Sequence, residues 1–205
     1  MKKRKLLLAT FNPGKAFEIK KFLENLPFEI FSLEEAGIKI SFPEKGASFI
    51  ENARGKSIFY SLKSSGLTLS EDSGLEVEYL DGAPGVFSSR YAGPKATDDK
   101  NIEKLLRVLK NVPDEKRKAR FVSCMVLAQR GSIIKEFMES VSGYITMERR
   151  GNYGFGYDPV FYYPPLERTF GELLPQEKNR ISHRGQALRK LRSFLLTHLA
   201  GEEMA

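Results

Sequence analysis

The residues of this chain that are equipped for chemistry fall into five short segments. In the first, Thr10-Phe11-Asn12-Pro13-Gly14-Lys15 follows an apolar run and precedes a helical pattern. A helix N-terminus offers backbone N–H groups and the positive end of the helix dipole, which suit a phosphate. Lys15 adds a charge there, and Gly14 admits a close backbone approach. The Walker spacing GxxxxGK[ST] is absent, so a plain strand-to-helix turn with a surface lysine is the alternative. In the second segment, Glu44 stands in a loop ahead of a helix bearing Asn52 and Lys56, four residues apart and so on one side. A carboxylate beside an amide and an ammonium can hold a metal ion and a phosphate together. Solvated side chains are the plainer reading.

The third segment, Ser70-Glu71-Asp72-Ser73-Gly74, reads as paired acids where a short strand ends. Open α/β sheets bind ligands at such strand ends, and Mg²⁺ is commonly held by one or two carboxylates plus substrate phosphates. A turn with exposed acids competes equally, and neighbours on an extended chain face opposite ways. The fourth is Gly154-Phe155-Gly156-Tyr157-Asp158-Pro159, and the fifth joins Lys178 to Ser182-His183-Arg184-Gly185. A Gly-flanked aromatic is a platform on which a base can stack. Lys178, His183 and Arg184 are donors for carbonyl acceptors on a base edge. Phe155 as a core residue and His183 as a cap or core residue are the structural alternatives. His198, on the last helix, reads as a surface residue.

These segments require elements to position them. Lys5–Thr10 reads as a buried strand, followed by a helix patterned on Ala16, Ile19, Phe22, Leu23 and Leu26, then extended structure over Phe28–Leu33. Ser48-Phe49-Ile50-Glu51 has the form of a capping box, and its helix carries Phe49, Ala53, Ile58 or Phe59, and Leu62. Leu67–Ser70 is a short strand ended by Glu71-Asp72-Ser73-Gly74, with Leu75–Leu80 extended beyond it. Thr97-Asp98-Asp99 caps a helix striped by Ile102, Leu105, Leu106 and Leu109. Arg120–Ala128 reads as a central strand and Ile133–Val141 as its hairpin partner. Gly151–Asp158 is a loop, and Ser182–Leu199 closes the chain as a helix with Leu188, Leu191, Leu195 and Leu199 on one face. The class is mixed α/β, without repeats or an obvious linker.

Composition narrows the function classes. A chain of 205 residues with 41% hydrophobic and 29% charged residues is an ordinary globular protein, neither disordered nor fibrous. The single Cys124 excludes an intramolecular disulfide framework and fits a reducing compartment. No apolar stretch approaches a membrane span. The apolar run after the basic N-terminus is too short for a signal peptide, so a cytoplasmic protein is expected. The net charge of +7 suits either a nucleic acid or a small polyanion. Two blocks carry much of it: seven Lys/Arg against Glu18 alone from Lys2 to Lys21, and six Lys/Arg without an acid from Lys178 to Ala200.

Taken together, the segments resemble the inosine triphosphate pyrophosphatase family, the noncanonical purine nucleoside triphosphate pyrophosphatases. The matching stretches are Ala9–Lys15, Phe49–Ala53, Glu71–Val77, Gly82-Ala83-Pro84-Gly85-Val86-Phe87-Ser88-Ser89-Arg90-Tyr91-Ala92-Gly93, Gly154–Pro159 and Ser182–Leu188. They follow the family's order across nearly the whole chain. The resemblance implies an elongated mixed β-sheet flanked by helices, forming two lobes around an active-site cleft, in one domain spanning 1–205. It implies a homodimer that hydrolyses ITP, dITP and XTP to the monophosphate and pyrophosphate, without a nucleic-acid or membrane partner. By position, Thr10, Phe11, Asn12, Pro13, Gly14 and Lys15 would hold the triphosphate, with Lys56 assisting. Glu44 and Asp72 would bind Mg²⁺, and Asp72 would orient or deprotonate the attacking water. Ser73 and Gly74 would contact the nucleotide, while Phe155, Gly156, Tyr157, Asp158, Lys178, His183 and Arg184 would build the base pocket. Two positions depart from the common pattern. Glu71 stands where paired aspartates are usual, and Phe11 where a small residue is common. Competing readings are a Maf-like pyrophosphatase for other nucleotides and a basic nucleic-acid-binding module.

Overall fold

The computed structural model describes residues 3–202, with side chains through 197. Lys2 and the side chains of His198 and Leu199 lie outside the described residues. The sheet has seven strands in the order β2-β1-β3-β4-β5-β6-β7. They are β1 (Arg4–Ala9), β2 (Phe28–Ser32), β3 (Leu67–Val77), β4 (Lys118–Gln129), β5 (Ser132–Ile145), β6 (Phe161–Tyr163) and β7 (Arg168–Thr169). The helices are α1 (Pro13–Leu23), α2 (Phe49–Ser61), α3 (Asp98–Val108), α4 (Pro175–Ile181) and α5 (His183–Glu202). This is the mixed α/β class read from the sequence.

β1 runs parallel to both neighbours, with Leu6 opposite Ile30 and Leu67, and Ala9 opposite Ser70. Leu6, Leu7 and Leu8 are all fully buried, as befits a parallel strand covered on both faces. β6 pairs antiparallel with β5 and with β7. The link from β4 to β5 is Arg130-Gly131, with φ of 49° and 82°. Two consecutive left-handed residues make the turn whose twist matches a hairpin, and the glycine adopts it without steric cost.

The chain divides into two compact units, each with its own core. The first comprises Met1–Asp72, Cys124–Met138 and Ala187–Ala205. Its core joins Leu6, Leu8, Ile19, Leu23, Leu69 and Leu127 to Leu188, Leu191 and Leu195 of α5. The second comprises Ser73–Ser123 and Glu139–Gln186, and is built on Leu75, Val77, Ile102, Leu105, Phe121, Phe161 and Phe170. Arg117 is buried in the second unit. Its guanidinium donates to the carbonyls of Leu109, Ile145 and Thr146 at 2.7 Å each. A planar fork of donors suits such a set of carbonyls, and it ties the end of α3 to the end of β5.

The structure departs from the sequence pattern at four points. Glu71-Asp72-Ser73-Gly74 does not end a strand; it lies inside the eleven-residue β3. α2 buries Phe49 and Ala53 and packs Phe59 as expected, but it leaves Ile58 and Leu62 exposed and completes its buried face with Asn52, Lys56, Ser57 and Tyr60. The cause is pairing: the polar residues on that face bond to partners elsewhere in the first unit, which removes the cost of burying them. The helix before Ser182, α4, has no counterpart in the periodicity reading. The capping box is also modified. Ser48 caps Glu51 N as expected, but the Glu51 carboxylate accepts from Ala47 N rather than from Ser48 N.

Candidate active site

In the first unit, α1 begins where β1 ends. Asn12 is the N-cap, accepting from Lys15 N at 3.0 Å, and Pro13 occupies the first helical position, where its missing N–H costs nothing. Thr10 Oγ1 accepts from Asn12 N at 3.1 Å. Thr10 to Lys15 therefore wraps the positive end of α1. Phe11 is 52% exposed. Lys15 Nζ reaches to 3.8 Å from the Glu71 carboxylate, which is buried in β3.

Beside it, α2 and β3 assemble a charged cluster. Lys56 Nζ donates to Glu44 Oε1 at 2.6 Å, to Asp72 Oδ1 at 3.2 Å and to the Glu71 carbonyl at 2.9 Å. Asn52 Nδ2 donates to Asp72 Oδ2 at 3.1 Å. Lys56 and Asp72 are both buried. Burial opposes the Lys56 charge, but Asp72 and Glu44 outweigh it and hold the ammonium above its ordinary value. Burial raises the Asp72 carboxyl, against the pull of Lys56 and Lys15. The two directions are compatible because one ammonium serves two carboxylates. Two hard oxygens from different elements thus converge on one cation, which is the donor chemistry that Mg²⁺ takes from proteins. No group of three or more His, Cys, Asp or Glu among the described residues is arranged to hold a metal. Glu44 and Asp72 fit an ion that fills its remaining positions with phosphate and water.

In the second unit, the Gly-rich segment folds around Asp158. Its Oδ2 accepts from Phe155 N at 2.9 Å and from Lys178 Nζ at 2.6 Å. Gly154 sits at φ +79°, and a Cβ there would come 2.0 Å from Asp158 Oδ2, so the loop can close on the carboxylate only with glycine at this position. Gly156 N donates to Asp98 at the start of α3 at 2.7 Å. Tyr157 is buried; its hydroxyl donates to the Ser88 carbonyl at 2.8 Å, and burial keeps the phenol protonated.

The Phe155 ring is half-buried, with Lys178 Nζ 4.8 Å and Arg184 Cζ 5.2 Å from its centroid. Arg184 Nη2 also donates to Ser73 Oγ at 3.0 Å. Ser182 ends α4 and caps α5 through Gly185 N at 3.1 Å. Gly185 lets the helices approach, since a Cβ there would meet the Asn179 carbonyl at 1.9 Å. His183 is buried and stacked on Phe121 at 4.8 Å and 11°. An aromatic framed by cations, with a serine within reach, can hold a flat ring and donate to its acceptors.

The segments therefore resolve into two groups. Lys15, Glu44, Lys56 and Asp72 meet in the first unit, and Ser73, Phe155, Asp158, Lys178 and Arg184 meet in the second. Gly74 follows Ser73 in β3. The sequence reading passed over Tyr60 and Asp98. Tyr60 carried a signal, because it continues the Asn52–Lys56 spacing by another four residues. Asp98 carried only that of a helix cap.

A model of the Ham1 family matches residues 6–194. The dITP/XTP pyrophosphatase of Thermoanaerobacter pseudethanolicus is 44% identical over 196 residues, covering 95% of this chain and 98% of that protein. The dITP/XTP pyrophosphatase of Clostridium perfringens is 46% identical over 199 residues, covering 94% and 97%. Among solved structures, a HAM1 protein from Coxiella burnetii superposes with a TM-score of 0.86 at 39% identity, covering 95% of this chain and 99% of that one.

Proposed function

The chain belongs to the Ham1 family, and from that premise we propose that it hydrolyses ITP, dITP and XTP to the nucleoside monophosphate and pyrophosphate, with Mg²⁺ as cofactor. The observation that carries the reading is the convergence of Glu44 and Asp72 on Lys56 beside Lys15. The names of the relatives supply the substrate class.

In this reading, water attacks the α-phosphorus, a new P–O bond forms, and the bond from that phosphorus to the α,β-bridging oxygen breaks. Pyrophosphate leaves. Asp72 orients the water and accepts its proton, a task suited to a carboxyl that burial has made more basic. Glu44 and Asp72 are the residues that would hold Mg²⁺. When bound, the ion supplies charge neutralisation and activates water. Lys15, Lys56 and the N–H groups at the start of α1 bind and orient the phosphates, and transfers of this kind ask a protein mainly for positioning and charge.

Phe155 stacks on the base, and Lys178, His183 and Arg184 form the pocket whose donors face the 6-oxo group of hypoxanthine or xanthine. Adenine presents a donor there instead, leaving pocket donors unpaired. The same reading treats residues 1–205 as one enzyme domain working as a cytoplasmic homodimer, without a nucleic-acid or membrane partner. No helix among the described residues is long and apolar enough to cross a membrane. A panel of ITP, dITP, XTP, GTP, ATP and dTTP, with pyrophosphate as readout, tests the activity. Preference for ITP, dITP and XTP supports it, whereas preference for GTP, ATP or dTTP overturns it. Light scattering on the eluted protein tests the dimer.

A further inference from the structure

α2 presents Asn52, Lys56 and Tyr60 at intervals of four, one polar stripe along the helix. Facing it is the segment 38–47, which has no regular secondary structure. No helix or strand ladder therefore decides where Glu44 sits. Tyr60 is 2% exposed, and its hydroxyl accepts from Phe42 N and donates to the Ile40 carbonyl, both at 2.9 Å. One phenol thus grips the backbone two and four residues ahead of Glu44. The Phe42 ring rests on α2 at Gly55, where a Cβ would come 2.4 Å from Phe42 Cζ. It also packs on Phe59 at 5.6 Å between ring centroids. On the far side of Glu44, Asn52 Oδ1 accepts from Gly46 N at 2.8 Å. The Glu44 carboxylate is carried between two anchors, and both belong to α2.

We propose that Tyr60 is a positioning residue for metal binding: its hydroxyl fixes the segment so that Glu44 reaches the point on which Asp72 also converges. The inference rests on the reading of Glu44 and Asp72 as Mg²⁺ ligands. A carboxylate on an unrestrained loop loses chain entropy each time it engages a cation, whereas an anchored one has already lost it in folding. Groups that orient metal ligands typically change metal affinity by about 10- to 100-fold when removed. The Tyr60 ring also packs in a small cluster with Leu7, Ala9 and Leu33. Phenylalanine keeps that packing and removes the hydroxyl alone.

The test uses Mn²⁺ as a paramagnetic probe, titrated into the full chain with an α,β-methylene analogue of ITP and read by electron paramagnetic resonance. Tyr60→Phe is expected to raise the Mn²⁺ Kd about tenfold, with faster exchange of the Phe42 amide and an unchanged kcat at saturating Mg²⁺. Gly55→Ala favours the helix but displaces the Phe42 ring, and it is expected to weaken Mn²⁺ in the same direction. It decides the matter if Tyr60→Phe folds poorly. Glu44→Gln is the control. If it weakens Mn²⁺ while Tyr60→Phe and Gly55→Ala do not, the role of Tyr60 is overturned and the metal reading stands. If Glu44→Gln leaves Mn²⁺ binding unchanged, the metal reading falls and takes this proposal with it.

Discussion

Lys178 and Asp158 form a buried ion pair, Nζ to Oδ2 at 2.6 Å, with side chains 5% and 3% exposed. The same carboxylate oxygen accepts from Phe155 N, so the pair sets both a cation and the backbone beneath the aromatic platform. Removing one partner of a buried pair leaves the other charged and uncompensated, at a cost of about 3–5 kcal/mol. Asp158→Asn is expected to lose stability of that order in urea unfolding. Adding Lys178→Met should recover part of it. Strictly additive losses in the double variant would show that the two groups do not depend on each other.

Asp72→Asn is expected to lower kcat by about 10²- to 10⁴-fold, the usual worth of a general acid–base group. The fold should survive, because burial already disfavours the Asp72 charge and Lys56 keeps its contact with Glu44. Unchanged circular dichroism with near-normal turnover would remove Asp72 from the chemistry.

Arg184 bonds Ser73 and flanks Phe155. Arg184→Ala should erode the preference for ITP over ATP by about 5- to 150-fold, the equivalent of one pocket donor at 1–3 kcal/mol. The ratio of kcat/KM values for the two substrates measures it, and an unaltered ratio would exclude Arg184 from base selection.

Chelation by EDTA should stop pyrophosphate release, and excess Mg²⁺ should restore it. Activity that persists in the chelator would leave Glu44 and Asp72 without the role of metal ligands.

Glu35 predicts a pH effect away from the site. The Lys20 ammonium bonds both carboxylate oxygens, at 2.8 and 2.6 Å, and Ser32 N donates to one of them at 2.6 Å. These contacts, that of Lys20 first, hold Glu35 at about 2 instead of 4.5. A value lowered by folding stabilises above the unfolded value and loses that contribution as pH falls toward the folded one. Glu35→Gln should therefore flatten the acid side of the Tm profile between about 4.5 and 2. Both side chains are solvent-exposed, at 34% and 53%, so the effect at neutral pH should stay under about 1 kcal/mol. Parallel profiles for the two proteins across that window would show that the pair contributes nothing.

What could be read from the sequence was local. The Ser48 cap, the apolar run of β1 and the stripe of α3 follow from residues within a turn or two of one another, and the structure reproduces each. The ordered motifs likewise sufficed to recognise the family, because their spacing is preserved whatever brings them together. The rest is non-local. Glu71-Asp72-Ser73-Gly74 has the composition of a turn, yet it lies within β3, whose preceding residues are paired to β1 from Leu67 to Ser70. The apolar positions of α2 marked its buried face only in part: Phe49 and Ala53 are buried, but Asn52 and Lys56 are buried beside them because they find their partner Asp72 twenty and sixteen residues away. Arg184 meets Ser73 across 111 residues. Polar groups are buried only where distant partners satisfy them. The sequence therefore determined the local caps and runs and the order of the motifs, and the tertiary structure decided which of their residues share a charge, a hydrogen bond or an anchor.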